Sequence, residues 1–486
     1  MPPLRRYLSL ITVAVAIAAL YFYKLDGVGV LGPDEPRYAS IGRSMAQTGD
    51  LVTPKLWGTA WFEKPPLLYW MTAAGTAAGL NPELAGRLPV ALLSLAFLAL
   101  SFVLLKREFG AEAAAFTIAL LATSAGWLAF SSLCLTDIPL AGFFSLAVFV
   151  ALPLLRAQTE TRRAVERFIG IGVCLGLGML AKGLVPIALS LPLWWFLRRF
   201  WRKWWISVAA AIAFAGPWYV AVYLQNGYAF IQDFFLKQHF ERLYSESLQH
   251  VQPWYYYFPV LLAGLFPWTP LLGLLLFRHR IWEQRSKCLA AIVLFGFALF
   301  SSSLNKLPGY MLPLLPALFA LIGAQFQSKS VAAISRWWLL SCAVLAACIP
   351  LVARLLPVSL MQGRLSLAAI GAISRTEFFY IAVPIAAVLL ARRSWAAPVL
   401  VLCVVAGGMY LKIVSYPVLD RQVSPRGLWL HVRSESSRLC DGGVNRDWAY
   451  GLAFYRGGPL PPCGPGRSDL ILRSEGHGPP VITAEK

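Results

Sequence analysis

The stretch DEPRYA at residues 34–39 begins a polar region that runs to WFEKPP at residues 61–66, in a chain that is otherwise mostly apolar. Pro36 suits the first turn of a helix, where its missing N–H costs nothing. Asp34 or Glu35 can cap the open amides of that turn and lie at the positive end of the helix dipole. The sequence therefore predicts a helix that begins here and is capped by one of these two carboxylates.

Apolar side chains recur at helical spacing through this stretch. Tyr38, Ile41 and Met45 share one face, and Gly49 is a typical residue just beyond a helix end. Polar side chains, including Arg37, lie on the other faces. The pattern predicts an amphipathic helix to about residue 47 that lies flat in a membrane interface.

The composition of the whole chain is that of a membrane protein. Of its 486 residues, 58% are hydrophobic and 14% are charged, and the mean hydropathy is +0.63. The formal net charge is +20, but the lysines and arginines occur in short clusters between apolar segments. Such clusters set topology and meet anionic lipid headgroups. We therefore predict an all-α polytopic membrane protein with no nucleic-acid partner.

Thirteen apolar segments are candidate membrane spans. The first follows two arginines and has no small-residue cleavage site after it, so we interpret it as an uncleaved span. The predicted spans cover residues 7–25, 84–105, 113–131, 137–155, 168–181, 184–197, 204–224, 256–277, 288–303, 309–326, 337–353, 377–391 and 397–415.

Basic clusters fall on alternate connections and predict the orientation. By the positive-inside rule, residues 156–167 and 278–287 face the cytoplasm, and residues 26–83 and 225–255 face outward. Residues 168–197 contain Lys182 in the middle of an apolar run. One long span here would invert every later loop against the charge rule, so we favour a hairpin that turns at Lys182.

The chain divides into a membrane domain, residues 1–415, and a tail, residues 416–486, that also faces outward. The tail is predicted to form a small α/β appendage with strand-like pieces at 453–455 and 469–472, and its last dozen residues, from Ser474, are expected to be disordered.

The cysteines divide between these two parts. Six of the eight lie in or beside spans, where a thiol usually behaves as a small apolar side chain. Cys440 and Cys463 lie in the tail and can form a disulfide if it faces an oxidising compartment, although an unpaired state is equally consistent with the sequence.

Several charged residues lie beside the hydrocarbon on the outward side. Asp137 begins the fourth span, Lys182 lies at a turn, and Lys306 lies at another turn in SLNKLPGY, residues 303–310. Each alone could reach the interface by snorkelling. Charges at this depth are costly unless they are paired or hydrated, so their convergence on one side indicates a functional site.

Several short motifs occur together and in order. They are GPDEPRYA at 32–39, TGDLVTP at 48–54, FEKPPL at 62–67, LTD at 135–137, AKG at 181–183, the run from HFER at 239–242 to QPW at 252–254, and SLNKLPGY at 303–310. With these motifs the chain resembles the bacterial aminoarabinose lipid A transferases and the related protein mannosyltransferases of the C-type glycosyltransferase superfamily. The resemblance covers residues 1 to about 330.

The resemblance implies an inverting membrane glycosyltransferase of the cell inner membrane. Such an enzyme takes a sugar from a polyprenyl (undecaprenyl) phosphate carrier, its donor partner, and passes it to an outward-facing acceptor, most simply lipid A or another lipid or glycan of the lipopolysaccharide. Asp34 is then the catalytic carboxylate and Asp137 the second acidic position. Because neighbouring cations weaken a carboxylate as a base, we favour an orienting role for Asp34.

The donor phosphate needs cations, because no glycine-rich cradle is present. The residues that match the family in this role, or are available for it, are Lys64, Arg37, Lys182, Lys306, Tyr310 and Arg242. The resemblance also suggests a divalent metal ion in some relatives, held by Glu63 with His239 or His250. Two ligands are too few to predict a metal from sequence, and each histidine is equally well an ordinary loop residue.

Two other functions remain open at this point. Within the class, the chain could be a protein O-mannosyltransferase. From another class, a multispan transporter or flippase would need charges deep within spans or inverted repeats, and the sequence offers neither. The tail is shorter than that expected of an aminoarabinose transferase, so the acceptor is left undecided.

Overall fold

The structure is a computed structural model of the chain. It describes residues 3–156, 163–241, 251–277, 283–326, 331, 334–362, 375–464, 470–476 and 478–484. Side chains are described for these residues except 3–9, 238–241, 277, 362, 375–376, 378–379 and 484.

Most of the described chain is helical. The α-helices are Pro3–Phe22, Asp34–Thr48, Leu67–Ala77, Pro82–Phe109, Ala111–Thr123, Ala125–Phe130, Asp137–Ala151, Ala164–Lys182, Val185–Leu189, Leu191–Phe196, Trp204–Asn226, Tyr228–Phe230, Tyr257–Leu265, Gly273–Phe277, Gln284–Ser302, Leu315–Ala324, Arg336–Ala347, Ile349–Gln362, Arg375–Leu390, Ala396–Gln422, Pro425–Val432 and Arg446–Arg456. Six short 3-10 segments and one π-helical segment adjoin them, at Leu152–Leu155, Arg198–Lys203, Ile231–Glu241, Trp254–Tyr256, Thr269–Leu272, Pro308–Leu314 and Arg433–Glu435.

The fold is that of a polytopic all-α membrane protein, as the sequence predicts. Within the described residues, six helices are long and apolar enough to cross a membrane, and there are up to eight spans if each of two bent helix pairs is counted as one. The predicted number of thirteen is not confirmed. Four shorter apolar helices account for part of the difference: Leu10–Phe22, Ala111–Thr123, Pro308–Ala324 and Tyr380–Leu390.

Proline explains why one predicted span is broken. Residues 256–277 form two helical pieces, Trp254–Leu265 and Thr269–Leu276, that meet at 113°. Phe266 lies between them in an extended conformation, which the residue before a proline favours.

The chain also turns at Lys182, as predicted, because a helix ends there at Gly183 and Pro186 packs back against Gly178.

The helix Asp34–Thr48, here called the site helix, differs from its prediction at its first turn. Its N-cap residue is Pro33, and no side chain caps it. The predicted capping by Asp34 or Glu35 is therefore wrong. Both residues lie inside the first turn, and their carboxylates bind arginines instead. The helix ends as predicted, at a left-handed Gly49.

Protein covers the site helix on more than one side. Gly42 packs against Thr72 of the helix Leu67–Ala77, and Arg43 donates to the Phe454 carbonyl from the tail at 3.0 Å. Arg37, which the pattern places away from the apolar face, is buried as well. The polar face predicted for this helix is thus largely taken up by protein contacts.

The tail contains a three-stranded sheet and a helix. Strand Leu439–Asp441 pairs in parallel with Leu470–Arg473, and the latter pairs in antiparallel with Val481–Ala484. The strand predicted at 469–472 is confirmed for 470–472, and residue 469 lies outside the described residues. The predicted disorder after Ser474 is wrong for Val481–Ala484, because backbone pairing fixes this segment. The predicted boundary at residue 416 falls inside the helix Ala396–Gln422.

The other strand-like piece of the tail is helical. Residues 453–455 belong to the helix Arg446–Arg456, here called the tail helix, so this strand prediction is wrong. Phe454 and Tyr455 pack on the main hydrophobic cluster, which includes Tyr38 and Ile41 of the site helix, rather than within a sheet. Cys440 and Cys463 form a disulfide, which decides between the two alternatives that the sequence left open.

The tail docks on the first loop, residues 26–83. Asp420 accepts from the Gly29 N–H at 2.8 Å, and the Tyr455 hydroxyl accepts from the Val30 N–H at 3.1 Å. Tyr455 also donates to Glu83 at 2.8 Å. These contacts place the first loop and the tail on the same side of the membrane.

Candidate functional site

A buried ion pair anchors the start of the site helix. Arg87 donates to both oxygens of Glu35, at 2.7 and 2.8 Å, and also to the carbonyls of Leu25, Val28 and Gly29. Both side chains are almost fully buried, with 2% of Glu35 and 3% of Arg87 exposed. Since every charged atom of this pair has a partner, Glu35 is a structural residue.

Arg37 joins the other carboxylates of the first loop. Its guanidinium donates to Glu63 at 2.8 Å, to the Pro33 carbonyl at 3.0 Å, and to Asp34. Burial lowers the pKa of Arg37, but Glu63 and Asp34 raise it above its ordinary value. Arg37 therefore stays charged and holds both carboxylates in place.

Exposure separates Asp34 from the other carboxylates of this region. The Asp34 side chain is 37% exposed, whereas Glu63 is 10% and Asp137 is 12% exposed. Asp34 is thus the carboxylate of this group that a substrate can reach without displacing other side chains.

The surroundings of Glu63 do not fit a metal ion. Its carboxylate accepts from Arg37, from Lys64 at 2.8 Å, from Trp61 at 3.3 Å and from Tyr38 at 3.4 Å. Two of these donors are cations and would repel a divalent ion. In the described part of the chain no group of three or more candidate ligands is present.

A second charged group lies around Asp137. Lys182 donates to Asp137 at 2.8 Å and lies 5.2 Å from the centre of the Tyr310 ring. Gly309 lies so close to the Asp137 carboxylate that a β-carbon there would overlap it. The sequence predicted roles for Asp137, Lys182 and Tyr310 separately, and the fold brings these three side chains together.

A backbone hydrogen bond connects the two groups. The Cys134 N–H, three residues before Asp137, donates to Glu35 at 3.0 Å. Glu35 is adjacent to Asp34 on the site helix. The loop that leads to Asp137 is therefore fixed to the helix that carries Asp34.

Lys306 has a different environment from the other predicted phosphate ligands. Its ammonium donates to the Gln252 carbonyl at 3.0 Å and to the Ser303 carbonyl. It thereby ties residues 251–253 to the 303–307 turn. Arg242 and His250 lie outside the described residues, as does the side chain of His239, so their predicted roles stay predictions.

Three aromatic or charged residues of the site were not singled out from the sequence. Tyr450, in the tail helix, lies 5.1 Å from the Arg37 guanidinium, and no local pattern links residues more than 400 positions apart. Tyr69 is fully buried near Glu63 and Arg37, and its hydroxyl has no hydrogen-bond partner among the described residues. Arg87 could have been flagged as a lone cation at the start of a predicted span.

A family model described as dolichyl-phosphate-mannose-protein mannosyltransferase matches residues 7–229. The chain is also similar to undecaprenyl phosphate-alpha-4-amino-4-deoxy-L-arabinose arabinosyl transferases. It is 31% identical to one from Pseudomonas fluorescens over 331 residues, and 32% identical to one from Pseudomonas aeruginosa over 321 residues. Each match covers 64% of this chain, but only 54% and 58% of those relatives.

The fold is similar to a solved structure along most of its length. The crystal structure of ArnT from Cupriavidus metallidurans bound to undecaprenyl phosphate matches with a TM-score of 0.78 and 26% sequence identity. The match covers 94% of this chain and 86% of that one. The motif-based resemblance is thus confirmed by sequence and by fold, and the chain is similar to the aminoarabinose lipid A transferases.

Proposed function

We propose that the protein is a glycosyltransferase that moves a sugar from an undecaprenyl phosphate carrier to an acceptor on the periplasmic face of the inner membrane. One observation carries the proposal: an accessible carboxylate, Asp34, is held by a buried arginine on a helix to which the loop before the Asp137–Lys182 pair is hydrogen-bonded, in a membrane fold that matches a structure bound to undecaprenyl phosphate. The names of the relatives make a 4-amino-4-deoxy-L-arabinose carrier the first donor to test.

Lys182 is the best placed cation for the donor phosphate. An ammonium group has three N–H donors, and the bond to Asp137 uses one of them. The other described cations have more of their donors in use: Arg37 binds two carboxylates and a carbonyl, Lys64 binds the carboxylate and the carbonyl of Glu63, and Lys306 binds two carbonyls. Tyr310 lies beside Lys182 and can offer a hydroxyl to the same phosphate.

The reaction is a single displacement at the anomeric carbon. A bond forms from the acceptor oxygen to this carbon as the bond to the carrier phosphate breaks, and undecaprenyl phosphate leaves with the electron pair. An acceptor that is an ionised phosphate, such as that of lipid A, brings no proton that must be removed. Asp34, held by Arg37, then orients the acceptor and stabilises the positive charge that develops on the sugar.

The periplasmic location rests on two features. Basic clusters on alternate connections predict that the first loop faces outward. The tail lies on the same side as that loop and carries the Cys440–Cys463 disulfide, which is typical of an oxidising compartment.

The experiment compares Asp34→Asn with Asp50→Asn in purified protein. Asp50 lies in the same loop, where it caps a turn and binds Lys55, so it is a matched control. We expect Asp34→Asn to transfer the sugar to lipid A at least about a hundredfold more slowly, with unchanged thermal melting and retained undecaprenyl phosphate binding. Near-normal transfer by Asp34→Asn, with Asp50→Asn equally active, would contradict the proposal.

Protein O-mannosyl transfer is the second candidate, because the family model that matches residues 7–229 carries that description. A polyprenyl phosphate mannose donor with an acceptor polypeptide tests it in the same preparation. Transfer of mannose to the polypeptide, without transfer of aminoarabinose to lipid A, would replace the first proposal by the second.

A further inference from the structure

A two-residue turn in the first loop holds an unusual side chain. Strand Lys55–Leu56 pairs with Thr59–Ala60 in antiparallel, and Trp57 and Gly58 form the turn between them, with φ of 48° and 88°. Hairpin turns with positive φ at both positions strongly prefer Asn or Gly at the first. A bulky side chain is strained there, and such strain persists where the surroundings or the function require that side chain.

The turn presents the Trp57 ring to the tail. The Trp57 and Tyr450 rings stack with centroids 5.7 Å apart and an angle of 22° between their planes. Tyr450 in turn lies 5.1 Å from the Arg37 guanidinium, which binds Asp34. The aromatic pair therefore adjoins the arginine that holds Asp34, and both residues remain partly exposed.

A cation completes this surface. The Arg446 guanidinium lies 5.7 Å from the Tyr450 ring on the same helix, and the residue is exposed. Among the described residues no carboxylate lies within ion-pair distance of it. Arg37, by contrast, is neutralised by Asp34 and Glu63. Arg446 is thus a cation next to the site whose charge is still available to a ligand.

We propose that Trp57, Tyr450 and Arg446 form an acceptor-binding wall that takes the phosphorylated saccharide head of a lipid. Aromatic rings offer an apolar surface for a sugar ring, and a guanidinium binds phosphate through paired N–H donors. The wall brings the acceptor beside Asp34, so the tail supplies part of the site. This inference rests on the proposed function, because it assigns the acceptor side of that reaction.

Equilibrium binding tests the wall separately from catalysis. The probes are bisphosphorylated lipid A, dephosphorylated lipid A and undecaprenyl phosphate. The variants are Trp57→Asn, Tyr450→Ala, Tyr450→Phe and Arg446→Gln. Arg456→Gln is the matched control, since Arg456 lies at the other end of the tail helix and binds the Gly458 and Pro459 carbonyls.

The three wall residues are expected to respond differently. Arg446→Gln weakens binding of phosphorylated lipid A by about tenfold or more and leaves the dephosphorylated probe unaffected. Trp57→Asn and Tyr450→Ala weaken the binding of both lipid A probes. Tyr450→Phe keeps the aromatic ring and binds both probes as the wild type does. All variants bind undecaprenyl phosphate as the wild type does.

Thermal melting separates this role from a structural one. Asn relieves the strain of the turn, so Trp57→Asn keeps the wild-type melting temperature while it loses acceptor affinity. A lower melting temperature with unchanged acceptor affinity would mean that Trp57 only stabilises the docking of the tail. That result would overturn the proposed acceptor-binding wall. So would wild-type affinity for lipid A in both Trp57→Asn and Arg446→Gln. A wild-type protein that transfers no sugar and binds no undecaprenyl phosphate would overturn the proposed function itself.

Discussion

Replacing Arg87 with Met is the sharpest test of how the site is held together. Arg87 lies in the helix Pro82–Phe109 and makes five hydrogen bonds, two to Glu35 and three to the carbonyls of Leu25, Val28 and Gly29. Met has a similar length and fills similar space, but it donates none of these bonds. The change leaves a carboxylate and three carbonyls without their charged partner.

The expected loss of stability is large because the pair is buried. Breaking a buried ion pair by removing one partner costs about 3–5 kcal/mol, since the remaining charge is left uncompensated in a dry environment. Water cannot readily replace Arg87, because both side chains are almost fully buried. We expect Arg87→Met to lower the free energy of unfolding by this amount.

Lys55→Met is the matched control. It removes the same kind of charge from the same region, but Lys55 and its partner Asp50 are 38% and 25% exposed. An exposed pair of this kind contributes about 0–1 kcal/mol. Denaturant titration of the purified proteins in mixed micelles, followed by tryptophan fluorescence, measures the difference. Equal stability of the Arg87→Met and Lys55→Met proteins would refute the view that this pair anchors the site.

Two glycine substitutions test close approaches in the fold. Gly309→Ala places a β-carbon on the Asp137 carboxylate, so we expect slower sugar transfer from a protein that is made in normal amounts, and wild-type transfer would contradict the geometry. Gly29→Ala places a β-carbon on the Tyr455 hydroxyl, which should loosen the tail from the first loop. Limited proteolysis then cuts the tail faster than in the wild type, and an unchanged digestion pattern would show that the docking does not depend on this contact.

The sequence predicted the site best where the residues are close along the chain. The motifs at 32–39 and 62–67 contain Asp34, Arg37, Glu63 and Lys64. In the structure, hydrogen bonds join all four side chains. The helix end at Gly49 and the turn at Lys182 were predicted correctly, because a glycine beyond a helix and a charge within an apolar run are local signals.

Long-range contacts could not be predicted in the same way. Helix capping is a local rule, and it failed at Asp34 and Glu35 because Arg37 and the distant Arg87 bind these carboxylates more strongly than the open amides do. Lys306 was predicted as a phosphate ligand from its charge and position, but nothing in its neighbourhood reveals the Gln252 carbonyl that it binds. Tyr450 reaches the site only because the whole tail folds back onto the first loop.

The balance of charge explains how the two neighbouring acids of the site helix divide their roles. Apart from the anchoring pair of Glu35 with Arg87, the ion-paired groups in the described part of the site are three cations, Arg37, Lys64 and Lys182, and three carboxylates, Asp34, Glu63 and Asp137. The formal charges of these six groups cancel, so they hold a donor phosphate by directed N–H groups rather than by a net positive field. Removing the charge of Asp34 leaves one net positive charge beside the phosphate. The Asp34→Asn protein should thus bind undecaprenyl phosphate at least as tightly as the wild type while it fails to transfer the sugar. Weaker binding would instead mean that Asp34 helps to hold the donor.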